Sequence, residues 1–150
     1  MKKLLFLLLC TFSVNVMFAQ NASQFNILWG PLNVDVQYDS AMNPISHSFT
    51  LIFQDSNYDV LDQRFIYASG SAQDIFDSLK FIEDFAIKFN KTGMKMDYNG
   101  IHLLRIKIGT INGVVVDLGD KKFEITVSGI SKIKKTLVKY CQTHKLEIPQ

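Results

Sequence analysis

Three histidines, His47, His102 and His144, and two cysteines, Cys10 and Cys141, are the side chains of this 150-residue chain best suited to hold a metal or attack a substrate. Metal sites draw on ligands closely paired along the chain, commonly two on one helical turn, and no two of these histidines have such spacing. His47 shares strand parity with Phe49 and Leu51, His102 shares it with Leu104 and Ile106, and His144 extends an apolar helical stripe. All three read as partly buried packing histidines. A reactive cysteine needs a base and an electropositive, accessible setting, which Lys139 and Lys145 could help to supply around Cys141. Cys141 nevertheless follows Ile133 and Leu137 at helical spacing, which predicts a small buried thiol instead.

The remaining catalytic patterns fail on composition. There is no Gly-x-Ser-x-Gly elbow, and Ser69-Gly70-Ser71 reads as the entry to a helix. Asp55, Asp59 and Asp62 lack the glycine and closing glutamate of a calcium loop. Gly109-Thr110-Ile111-Asn112-Gly113 lacks the Lys-Ser/Thr ending of a phosphate loop and sits between two strand-like segments. The reading is of a protein with no cofactor, no metal and no legible catalytic constellation. A small exported hydrolase, its site assembled from distant residues including His47 or His102, is the alternative.

Charge is the feature that rises above background. Residues 20–90 carry 9 acidic and 3 basic groups, whereas 91–150 carry 5 acidic and 11 basic. Lys132, Lys135 and Lys139 recur at helical spacing on a polar side, and Arg105 and Lys107 share one face of a strand. These five are the candidate docking residues for an acidic protein partner, or for head-to-tail self-association, as in a structural component of an envelope assembly. Nucleic acid is not the expected partner, because aromatic residues do not interleave with the basic ones. A second candidate surface is the sheet face turned from the helices, where Ile52 and Leu103 are expected among Ser48, Thr50, Arg105 and Lys107. Trp29-Gly30-Pro31 reads as a packing anchor.

Residues 1–19 have the order of a cleaved export signal: Met1-Lys2-Lys3, an apolar run from Leu4 to Cys10, and Ala19 before the expected cut. Thr11, Ser13 and Asn15 interrupt the run too soon for a spanning helix, and Leu7-Leu8-Leu9 are too large to precede a lipidated cysteine. The short Lys-Lys start and the Phe18-Ala19-Gln20 junction resemble exported proteins of Gram-negative bacteria, which implies a periplasmic or secreted address. Cleavage would leave 14 basic and 14 acidic residues and Cys141 as a lone cysteine, so no internal disulfide and no net basic attraction are expected.

These residues must be positioned by a single domain over 20–150, since no linker or low-complexity tract interrupts it. Residues 20–26 read as a polar leader. Period-two alternation predicts strands at Leu32–Tyr38 and 48–54, and the Tyr, Val, Phe and Ile of 58–68 predict a third. Ile75, Leu79, Ile82, Ala86 and Phe89, beside Phe85, predict a helix capped by Ser71 and stopped at Gly93. Asn99-Gly100, Asn112-Gly113 and Gly119-Asp120-Lys121 predict turns between about four more strands, before a second helix through Ile130, Ile133, Leu137, Tyr140 and Cys141. The expected fold is α+β, a largely antiparallel sheet of about seven strands in the order βββα-ββββα with both helices on one face. Each half ends in a strand, a Ser-Gly pair and a helix, a faint sign of a repeat.

Overall fold

The computed structural model describes residues 22–57 and 63–150. The export segment 1–19 and the residues Asp59 and Asp62 lie outside them. Among the described residues ten elements follow one another: β1 (Ala22–Trp29), β2 (Leu32–Tyr38), β3 (Pro44–Gln54), β4 (Arg64–Gly70), α1 (Ala72–Lys88), β5 (Lys95–Tyr98), β6 (Ile101–Ile108), β7 (Ile111–Asp117), β8 (Lys122–Thr126) and α2 (Val127–His144). The class is α+β as expected, but the strands form two four-stranded sheets, β1-β2-β3-β4 and β5-β6-β7-β8, and not one of seven strands. Residues 20–26 are corrected: their described part belongs to β1, whose polar Ser23, Gln24 and Asn26 hid the strand. With β1 counted, four strands and a helix occur twice in succession.

The described residues divide into two compact units, one made of 22–25 with Asp35–His47, the other of Asn26–Val34 with the described part of 48–150. In the first, the β2–β3 turn is built on Asp39, whose Oδ1 accepts the N–H groups of Ala41 at 2.9 Å and Asn43 at 2.8 Å. Bonding from Asn43 holds the Asp39 carboxyl below its ordinary range. Met42 takes the positive φ of 62° that closes this turn.

In the second unit the helices pack against one another and on the sheet β5–β8, with α1 also reaching β4. Ser71 caps α1 by accepting from Asp74 N–H, while the Asp74 carboxylate accepts from Ser71 N–H, so two orphan donors of the first turn are satisfied. The Ser71 hydroxyl also donates to Asp74 Oδ2 at 2.7 Å, and that bond, together with the one from Ser71 N–H, lowers the pKa of Asp74. Ile75, Leu79, Ile82, Phe85 and Ala86 form the buried stripe. The helix ends earlier than Gly93, at Lys88, with Phe89 as C-cap; Gly93, at φ 87°, instead brings its N–H to Arg105 O at 2.8 Å.

Of the two Asn-Gly turns, Asn99-Gly100 is where the sequence places it, both residues at positive φ between Tyr98 and Ile101. Asn112-Gly113 is not a turn. The chain reverses at Gly109-Thr110, and Asn112 and Gly113 sit inside β7, paired with Lys107 and Ile106. Glycine is needed at 113 for closeness: a Cβ there would stand 3.2 Å from the Ile125 carbonyl oxygen.

Candidate functional site

The β6 strand Ile101–Ile108 carries apolar residues on both faces, and its parity decides the surface chemistry. Leu103 faces the core with Val116 and Phe123 in one cross-strand row, and Arg105 shares its row with Val114 and Ile125. The expected assignment of faces was therefore inverted. Leu103 is buried, not part of an outward surface, and Arg105 is 6% exposed. Its Nη1 donates to Gly113 O at 2.7 Å, and its buried Nε meets no acceptor among the described residues. Arg105 is thus removed from the docking set. Lys107 is exposed on the same strand. The parity misled because Leu104 and Ile106 read as the core-facing pair, whereas an arginine with its long apolar stem took a core position.

The opposite face of β5–β8 holds His102 in a row with Asp97, Asp117 and Lys122. His102 is not a packing residue: its side chain is 55% exposed, with Nδ1 2.6 Å from Asp97 Oδ1. That hydrogen bond, helped by the charges of Asp97 and Asp117, raises the imidazole pKa. The pair borders a hollow of about 320 Å³ floored by Leu104 and Val115, with Lys95 at its rim. A carboxylate so placed fixes the imidazole and strengthens it as a base, but among the described residues no hydroxyl or thiol side chain lines the hollow, so water is the nucleophile it could activate. His144 is likewise exposed, stacked on Tyr140 at 3.9 Å, and His47 is half-buried on β3. Among the described residues no three His, Cys, Asp or Glu side chains gather as a metal would require.

On α2, Ile130, Ile133, Leu137 and Cys141 form the buried stripe, so the thiol is a core group whose pKa burial raises. Lys132, Lys135 and Lys139 are exposed on the opposite side. The structure separates them in use. Lys135 and Lys139 border a groove of about 340 Å³ between α1 and α2, whose floor includes Phe76 and Val138. Within it Lys134 is already committed, its Nζ 2.5 Å from Glu83 Oε2 and 4.4 Å from the Phe76 ring centre. Lys132 instead lies 5.9 Å from the ring centre of Trp29. That tryptophan is 40% exposed, so the packing anchor expected there is corrected to a surface contact. The groove itself escaped the sequence, because Phe76 and Val138 fall between the buried stripe and the polar face; only the helix pairing joins them.

Two further surfaces are apolar or open. Ile52 and Ile66 pair across β3 and β4, Ile66 well exposed. A cleft of about 500 Å³ lies between the Trp29–Pro31 turn, the end of β3 and the strand β8. Among the described residues no helix is long and apolar enough to cross a membrane. Comparison with known proteins returned no matching family model, no matching curated protein and no matching solved structure.

Proposed function

We propose that this chain is an exported, non-catalytic binding or accessory protein that docks an acidic protein partner on the groove between α1 and α2. The observation that carries the reading is the pairing of Lys135 and Lys139, which form no ion pair among the described residues, with an apolar floor that includes Phe76 and Val138. Such a groove favours an apolar side chain flanked by carboxylates. The lysines steer encounter and set orientation, and the floor supplies contact area once water is expelled. No acidic residue stands in the first turn of α2 to offset the lysines that follow. Export rests on the order of residues 1–19 and implies a periplasmic or secreted address.

The test is association kinetics with partners recovered from an envelope extract. Changing Lys132, Lys135 and Lys139 together to Glu should slow association and flatten its dependence on salt, with circular dichroism unchanged. An unchanged rate at low salt for every recovered partner ends the reading. The Asp97–His102 pair supports a second reading, a hydrolase that uses His102 as general base toward water. Reproducible turnover abolished by His102→Ala would replace the first reading with the second.

A further inference from the structure

The sheet order leaves β8 at an edge, and the hairpin before it fixes which of its backbone groups face outward. Leu118 N–H bonds Lys121 O at 2.8 Å, so Asp117 and Lys122 form a pair without mutual hydrogen bonds. The main-chain groups of Lys122, Glu124 and Thr126 therefore point away from β7. At Lys122 this edge is in use: Ser56 N–H donates to Lys122 O at 2.8 Å, and Lys122 N–H donates to Asp55 Oδ1 at 3.3 Å. One step along, the outward N–H and C=O of Glu124 meet no described partner, and its exposed carboxylate is in no ion pair among the described residues.

Beside that vacant length lies the cleft of about 500 Å³, lined by Trp29, Pro31, Ile52, Phe123, Glu124 and Ile125. β3 and β8 approach where Phe53 stacks on Phe123 at 3.9 Å, close to the Ser56–Lys122 bond. Unpaired edge groups beside an apolar cleft are the requirements for adding a strand.

We propose that β8 receives an extended peptide segment of a partner protein by strand addition, continuing the main-chain pairing that Ser56 begins at Lys122. The segment bonds through its backbone to Glu124 N–H and C=O. Alternation fixes its side chains. The residue opposite Glu124 falls beside that carboxylate and is basic, because opposite charges favour a cross-strand pair and like charges oppose it. Its two neighbours turn to the side of Phe123 and Ile125 and are apolar, filling the cleft against Trp29 and Ile52.

The probe is the capped pentapeptide acetyl-Thr-Val-Lys-Val-Thr-amide, compared with a version carrying Glu for Lys and one N-methylated at the Lys nitrogen. Trp29, the only tryptophan in the chain, reports on the cleft, and the Glu124 amide resonance reports on the edge. The parent peptide should shift Trp29 emission to the blue, saturably, and move the Glu124 resonance. The Glu peptide should bind roughly two- to thirtyfold more weakly, and the N-methylated one not measurably. Glu124→Pro removes the outward donor while the bonds to β7 run through Phe123 and Ile125, so it should fold and lose binding. Glu124→Gln, which keeps the backbone, should bind the Lys and Glu peptides about equally and guards against misfolding of the proline variant. Silence of both probes toward the parent peptide overturns the proposal, as does equal binding of the N-methylated peptide.

Discussion

Replacing Arg105 by Met should leave the protein as stable as before, or make it more stable by up to about 2 kcal/mol, although it deletes a buried hydrogen bond. The bond lost, Nη1 to Gly113 O at 2.7 Å, is charge-assisted and worth about 1.5–3 kcal/mol. Against it stand two costs of the native residue. A guanidinium 6% exposed, with no carboxylate in salt-bridge reach among the described residues, gives up hydration worth several kcal/mol. Its buried Nε, lacking an acceptor, adds about 1–3 kcal/mol. Gly113 keeps its ladder partner Ile106, so no carbonyl is stranded. Methionine nearly matches the length of the arginine stem and leaves little void, whereas Arg105→Ala opens one and should be roughly 2–3 kcal/mol less stable than the Met variant. Urea unfolding at a common m-value measures all three proteins. A Met variant more than about 2 kcal/mol less stable than the parent, with m unchanged, would refute the claim that the desolvated guanidinium costs as much as it contributes.

Titration of His102 by NMR should give a midpoint above the ordinary 6.5, and Asp97→Asn should bring it down, because the Asp97 hydrogen bond is the leading cause of the rise. Since the folded pKa is the higher one, the stability this pair adds is complete below the unfolded value and disappears as pH rises through the folded value. A midpoint unmoved by Asp97→Asn would detach the histidine from its partner. Leu137→Ala, at a position with 0% exposure on α2, should cost about 2–5 kcal/mol by chemical denaturation, whereas Lys135→Glu should change stability by less than about 0.5 kcal/mol.

Both helices were legible in the sequence because their signal is periodic and local. Ile75, Leu79 and Ile82 on α1, and Ile130, Ile133, Leu137 and Cys141 on α2, are buried where spacing alone puts them. Local chemistry also revealed the Ser71 cap and the Asn99-Gly100 turn, which depend only on neighbouring residues. What failed depends on distant partners. Gly113 looks like a turn glycine until Ile125 is found against it, and β6 looks oriented by Leu104 and Ile106 until Leu103 and Arg105 are found facing Val116 and Val114. Division into two sheets is a matter of which edges pair, and alternation is silent on that. The lysines of α2 were visible as a set; that two of them flank a groove follows from the neighbouring helix, which supplies Phe76.

Cys141 turns the docking of α2 into something that can be timed. Its thiol is fully covered, and burial suppresses the thiolate that would react, so alkylation must wait until the helix lifts or the chain unfolds. With a fast reagent the labelling rate becomes the rate of that opening; with a slow one it gives the fraction of time spent open. The same event sets a hazard. In an oxidising compartment two molecules that open together can be joined through this sulfur, and the lifetime of the closed helix decides how often that happens.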